Sequence, residues 1–77
     1  MKLKHERIDV QCTHNKPTRI WRRGLYHTVR EIHDHWLYRS RWWGREEQRH
    51  YFRLQCDDLS MDIFERAGSW FAERVWD

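Results

Sequence analysis

Seventy-seven residues make one small domain, residues 1–77, and a domain of that size buries only about 60% of the surface its unfolded chain exposes. Six Trp, three Tyr and three Phe, 16% of the chain, can make such a core dense enough. With no runs of Leu and Ala, they argue against a helical bundle and for a thin β sandwich or barrel. Fifteen basic residues stand against twelve acidic ones, for a net charge of +3, and because the signs are interleaved the balance alone is weak evidence for a nucleic-acid partner.

In chain order, "ERIDVQC" alternates, with Ile8, Val10 and Cys12 on one face and Arg7, Asp9 and Gln11 on the other, the pattern of a half-buried strand. "HNKPT" reads as a turn. "TRIWRR" is a second short strand, ended where Gly24 can take the positive φ of a tight turn. The next segment, "LYHTVREIHDHWLYRS", fits two periods. Tyr26, Thr28, Arg30, Ile32, Asp34 and Trp36 alternate as in a strand, whereas Leu25, Val29, Ile32 and Trp36 lie at offsets of 4, 3 and 4, as on a helix. Its β-branched and aromatic content predicts a strand to about Ile32, then a bend and one short helical turn near residues 33–40. After a tryptophan loop, "HYFRLQC", "MDIFER" and "WFAERVW" read as three strands of a meander, joined by turns at "DDLS" and "AGS". The expected fold is all-β: a small curved sheet or barrel of five to six mostly antiparallel strands.

Two cysteines suit a reduced cytoplasmic protein. No apolar run approaches the length of a membrane span, and "MKLKHERIDV" lacks the apolar stretch of a signal peptide. A cytoplasmic location with no membrane partner is the expectation.

"PTRIWRRGLYHTVREIHDHWLYRSRWW", "RHYFRL" and the closing "SWFAERVWD" resemble a family of small bacterial proteins of unknown function. Those proteins share a Trp-Arg-Gly-x-x-Tyr-x-Val core, a Gly/Ser-Arg-Trp-Trp turn, a Tyr-Phe/Trp-Arg-Val strand and a Trp…Val-Tyr/Trp-Asp ending. The closing pattern is also similar to the C-terminal tail of ImuB-type proteins, catalytically inactive Y-family polymerase relatives of mutagenic DNA repair. The resemblance runs from Pro17 to Asp77 and is most specific at Trp21-Arg22-Arg23-Gly24, Arg41-Trp42-Trp43 and Val75-Trp76-Asp77. This chain departs from it at Ser40, where the pattern has glycine, and at "CDDLSM", where a glycine-containing turn is common. The resemblance implies an all-β fold and a loose link to DNA repair, and it assigns no catalytic residue.

Successive side chains of a strand point to opposite faces, so one core does not take both Trp42 and Trp43. One indole is expected in the core. The other is a candidate contact among Arg39, Arg41 and Arg45, either a stacking platform for a base or an anchor for a peptide. Arg22 and Arg23 join this candidate binding set through a wider arginine group with Arg19, Arg49 and Arg53. On adjacent strands that group would make a basic stripe, unless carboxylates such as Glu31, Glu46, Glu47, Glu65 and Glu73 neutralise it. His33 and His35, two apart on a strand, would face the same way. Cys12, His14, His27 and Cys56 could join them at a metal only through the fold, since none has CxxC or HxxxH spacing. Both cysteines alternate with core positions and read as inert packing residues. No P-loop, GxGxxG or nucleophile elbow is present. The sequence thus predicts a non-enzymatic binding module without cofactor or metal. The first expectation is a protein-interaction domain that uses its Arg/Trp surface, loosely linked to DNA repair through the resemblance; the alternatives are a single-stranded nucleic-acid binder and a homodimer.

Overall fold

The computed structural model describes residues 5–76, with Trp42 described in its backbone alone. The chain forms six strands: β1 (Glu6–Thr13), β2 (Lys16–Arg22), β3 (Leu25–Trp42), β4 (Arg45–Cys56), β5 (Ser60–Arg66) and β6 (Ser69–Trp76). Each pairs antiparallel with the next, and β6 returns to β1 through Glu6↔Ala72 and Ile8↔Trp70, closing a barrel. Closure satisfies the backbone groups that an open sheet would leave along its edges. Four of the connections are two-residue turns with both φ angles positive: His14–Asn15, Arg23–Gly24, Trp43–Gly44 and Ala67–Gly68. Such mirror-image turns match the right-handed twist of the strands they join. The fifth, at 57–59, folds back with Cys56 N–H donating to Leu59 O at 2.8 Å and Asp57 N–H to Thr28 O at 3.2 Å.

The helical turn expected near 33–40 is absent, because β3 continues as strand to Trp42. The register against β4 explains the mixed period. Val29 pairs with Cys56 but Glu31 with Gln55, and Ile32 with Leu54 but Asp34 with Arg53, so Arg30 and His33 are each an extra, bulged residue. A bulge places two residues opposite one and breaks the alternation of faces. Val29 and Ile32, three apart, therefore both pack on the core, which gives a strand the offset of a helix. Between β1 and β2 the extra residue is Thr18, on β2, because Gln11 pairs with Arg19 but Cys12 with Pro17. Cys12, near the end of β1, is exposed, against the expectation of a core cysteine. Cys56 is buried as expected, and Pro17, read as part of a turn, lies buried within β2.

The barrel interior is filled by Ile8, Ile20, Phe52, Leu54, Met61 and Ile63, with Cys56 and Ala72. A second apolar layer lies on the other face of the sheet. Tyr51 and Phe64 are opposite each other on β4 and β5, and Phe64 is opposite Phe71 on β6. Phe64 is fully buried there, its ring 5.1 Å from Tyr51 and 5.3 Å from Phe71, with the His5 ring edge-on at 5.1 Å and the Arg49 guanidinium over it at 4.9 Å. Trp36 extends this layer onto β3, stacked on Tyr51 at 5.1 Å with an interplanar angle of 2°. A barrel this small thus uses its aromatics on both faces of one sheet. Leu54→Ala removes a fully buried side chain from the centre of the interior. The expected cost is about 2–5 kcal/mol, read as a lower urea midpoint at unchanged slope; a loss below about 1 kcal/mol would contradict this packing.

Candidate functional site

β4 pairs with β5 only up to His50↔Glu65, whereas its pairing with β3 continues through Tyr38↔Arg49, Arg39↔Gln48, Ser40↔Glu47 and Arg41↔Glu46 to Trp42↔Arg45. The rungs beyond His50 form a two-stranded arm, about 15–20 Å long at strand rise, that leaves the barrel. Its root is held from two directions. Arg49 donates to Glu47 Oε1 at 2.7 Å and to the Tyr51 hydroxyl at 3.3 Å, while its guanidinium covers Phe64 and lies 5.9 Å from the Tyr38 ring. Arg66, beside the β5–β6 turn, donates to the same Glu47 oxygen at 3.2 Å. These two hydrogen bonds, from Arg49 first, hold the Glu47 carboxyl below the usual carboxylate range.

Trp43 forms the tip. It is 87% exposed, and its φ of 54° places a bulky residue in the left-handed region, at a cost of about 1–2 kcal/mol. Of the sequence-predicted set, Arg39, Arg41 and Arg45 are exposed on this arm with it, and Trp42 closes the ladder opposite Arg45. The expectation for the Trp42 indole lies outside the described residues. Arg22 and Arg23 are not part of this cluster. They sit at the opposite end of β3, at the β2–β3 turn, where both donate to Glu6. Burial raises the Glu6 carboxyl, but the hydrogen bonds from Arg23 and Arg22 outweigh it and hold it below its ordinary value.

Nine of the twelve arginines therefore divide into two groups. On the barrel and at the arm root, Arg22 and Arg23 pair with Glu6, Arg30 with Asp57, Arg53 with Asp62, and Arg49 and Arg66 with Glu47. The Arg53–Asp62 contact is bidentate, at 2.9 and 3.2 Å, and its carboxylate is buried. Among the described residues, Glu47 is the one carboxylate of the expected neutralising set that pairs with arginine, and Glu73 accepts instead from the Tyr51 hydroxyl at 3.1 Å. Along the outer arm the situation reverses. Arg39, Arg41 and Arg45 make no ion pair among the described residues, even though Arg41 stands opposite Glu46 in the ladder. On the barrel Arg7, Arg19 and Arg74 also make no ion pair among the described residues, but they lie on separate strands, whereas three such arginines stand together around the tip.

The histidines do not converge. The bulge at His33 removes its equivalence with His35, whose ring instead lies 6.1 Å from Phe52 and 6.2 Å from His50. His27, 4% exposed, places Nδ1 3.0 Å from Asp58 Oδ1, while its buried Nε2 meets no hydrogen-bond partner among the described residues. No group of three His, Cys, Asp or Glu among the described residues could hold a metal ion. Cys12 and Cys56 lie on β1 and β4, which are not neighbours in the barrel. Burial, and then the charges of Asp58 and Asp57, push the Cys56 thiol up to about 11, and burial and Glu65 also raise Cys12. Neither has the lowered pKa of an activated nucleophile. Among the described residues no helix is long and apolar enough to cross a membrane. Comparison with protein families, with curated proteins and with solved structures finds no match.

Sequence reasoning missed the outer aromatic layer and one exposed pair, Trp21 with Tyr26. The layer left a signal in "DIFE" and "HYFR", where adjacent apolar residues demand two apolar faces. At pH 8 a thiol reagent is expected to label one equivalent, Cys12, in the folded protein, and the second only after denaturation. Rapid labelling of both would contradict the burial of Cys56.

Proposed function

We propose that this chain is a non-enzymatic binding module that takes single-stranded nucleic acid on its β3–β4 arm. The observation that supports this reading most is the pairing of an exposed, conformationally strained Trp43 with three guanidiniums, Arg39, Arg41 and Arg45, that no described carboxylate neutralises. An indole this exposed at the end of a ribbon is within reach of an unpaired base, and arginines behind it can follow the phosphates on either side. Neutralised arginines on the barrel add little to such binding, which concentrates affinity in the arm. The two unpaired thiols suit a reducing compartment, and we place the protein in the cytoplasm.

A protein partner is the second reading, favoured by the backbone edges of the arm. Among the described residues β2 pairs with β3 only over Leu25–Thr28, and β5 pairs with β4 only from His50 onward. An extended segment of another protein could add a strand there. Through the resemblance of its ending to the ImuB tail, a component of the repair machinery is the natural candidate.

The decisive variant is Trp43→Asn, which puts Asn-Gly, the preferred pair for this turn, at the tip. It is expected to keep or raise Tm while weakening a labelled single-stranded oligonucleotide by about 5- to 150-fold, the value of one lost base stack. Replacing Arg39, Arg41 and Arg45 with Gln should reduce the log–log salt slope by about 2. Unchanged oligonucleotide affinity in Trp43→Asn would overturn this reading, and absence of binding at low salt would leave the protein partner.

A further inference from the structure

We infer that the outer face of β1–β2–β3 is a self-complementary surface on which a second copy of this chain docks about a twofold axis. This face is distinct from the arm and independent of what the arm binds. The register lines up Asp9, Trp21 and Tyr26 across the three strands in one row, and Gln11, Arg19 and Thr28 in the next. Trp21 and Tyr26 meet edge-on, with ring centroids 4.3 Å apart, yet remain 39% and 68% exposed. Asp9, Gln11 and Arg19 line an open groove of about 340 Å³ beside them. Asp9 and Arg19 form no ion pair among the described residues, unlike most of the charges around the barrel. An exposed aromatic pair bordered by one uncommitted anion and one uncommitted cation is what a twofold contact requires. In such a contact residue i meets j while j meets i.

The placement of the four side chains supports that symmetry. Asp9 and Trp21 are neighbours on adjacent strands, and Arg19 is two residues along β2 from Trp21. Taking strands about 4.8 Å apart and a rise of about 3.4 Å per residue, an in-plane axis that exchanges Asp9 with Arg19 passes within about 2 Å of both Trp21 and Tyr26. Stacking two such faces therefore sets each Asp9 against the partner copy's arginine, each Arg19 against its aspartate, and like rings against one another near the axis. A standard interface takes about 800 Å² from each partner. That is a modest part of the 6067 Å² exposed here, so one face of the barrel can provide it.

The test is sedimentation velocity of the full chain from about 10 µM to about 1 mM, with circular dichroism to check that each variant is folded. The wild type is expected to shift from monomer to dimer across this range. Asp9→Arg and Arg19→Asp should each remove the dimer, since each sets like charges together twice. An equimolar mixture of the two single variants should dimerise, because both contacts then carry opposite charges, and the double variant should recover the dimer for the same reason. A wild type that stays monomeric throughout would overturn the inference, as would a dimer that neither charge reversal weakens.

Discussion

A strand of eighteen residues would run roughly 55–60 Å if straight, but the longest dimension of the molecule is 40 Å. β3 must therefore turn, and the bulged residues Arg30 and His33 supply the turn. The rest of the architecture depends on them. Before the bulges β3 pairs with β2 and contributes to barrel closure; after them it parts from β2, keeps β4 and becomes one side of the arm. The bulges also reset which face points inward. They bring Ile32 onto the core and send Trp36 to the opposite face, where it stacks on Tyr51. Bulges strengthen local twist and bend a strand, so a single device serves both closure and projection.

An arm of two strands gains little stability by itself in water. Here its root is joined to the barrel by the outer aromatic layer, with Arg49 as the link: it belongs to the arm, hydrogen-bonds Tyr51 and covers Phe64 on β5. Glu47 extends the brace to Arg66 at the β5–β6 turn. The position of the tip is thus set by packing on the barrel rather than by the hairpin alone. The consequence is a division of labour among arginines. Arg22, Arg23, Arg30, Arg49, Arg53 and Arg66 engage carboxylates or rings, while Arg39, Arg41 and Arg45 on the arm make no ion pair among the described residues. Arginine suits both tasks, because its planar guanidinium can stack on an aromatic face and still donate in its own plane.

Much of this was legible in the sequence. Alternation in "ERIDVQC", "HYFRLQC" and "MDIFER" located strands, and "RRG" and "AGS" located turns. Other features depended on register, which composition does not encode. "LYHTVREIHDHWLYRS" resembled a helix after Ile32 because two bulges imitate a helical offset. Cys12 read as core because it alternates with Ile8 and Val10, yet it lies at the exposed end of β1, next to the β1–β2 turn. At the candidate site, Trp43 and its arginine neighbours were visible as "RSRWWGR". The separation of Arg22 and Arg23 was not, because it follows from the length of β3 and from Glu6, far off in sequence. The tip itself depends on a tryptophan accepting a positive φ, which the pair Trp43–Gly44 suggests only once the two flanking strands are known to be in register.

On the proposed reading the ligand meets the arm and not the barrel wall. Amide ¹H–¹⁵N spectra recorded while a short single-stranded oligonucleotide is added test it most directly. Shifts are expected to concentrate at residues 39–45, with the Trp43 indole N–H among the largest and the amides of β1 and β2 nearly still. Shifts centred on another face, or none at low salt, would contradict it.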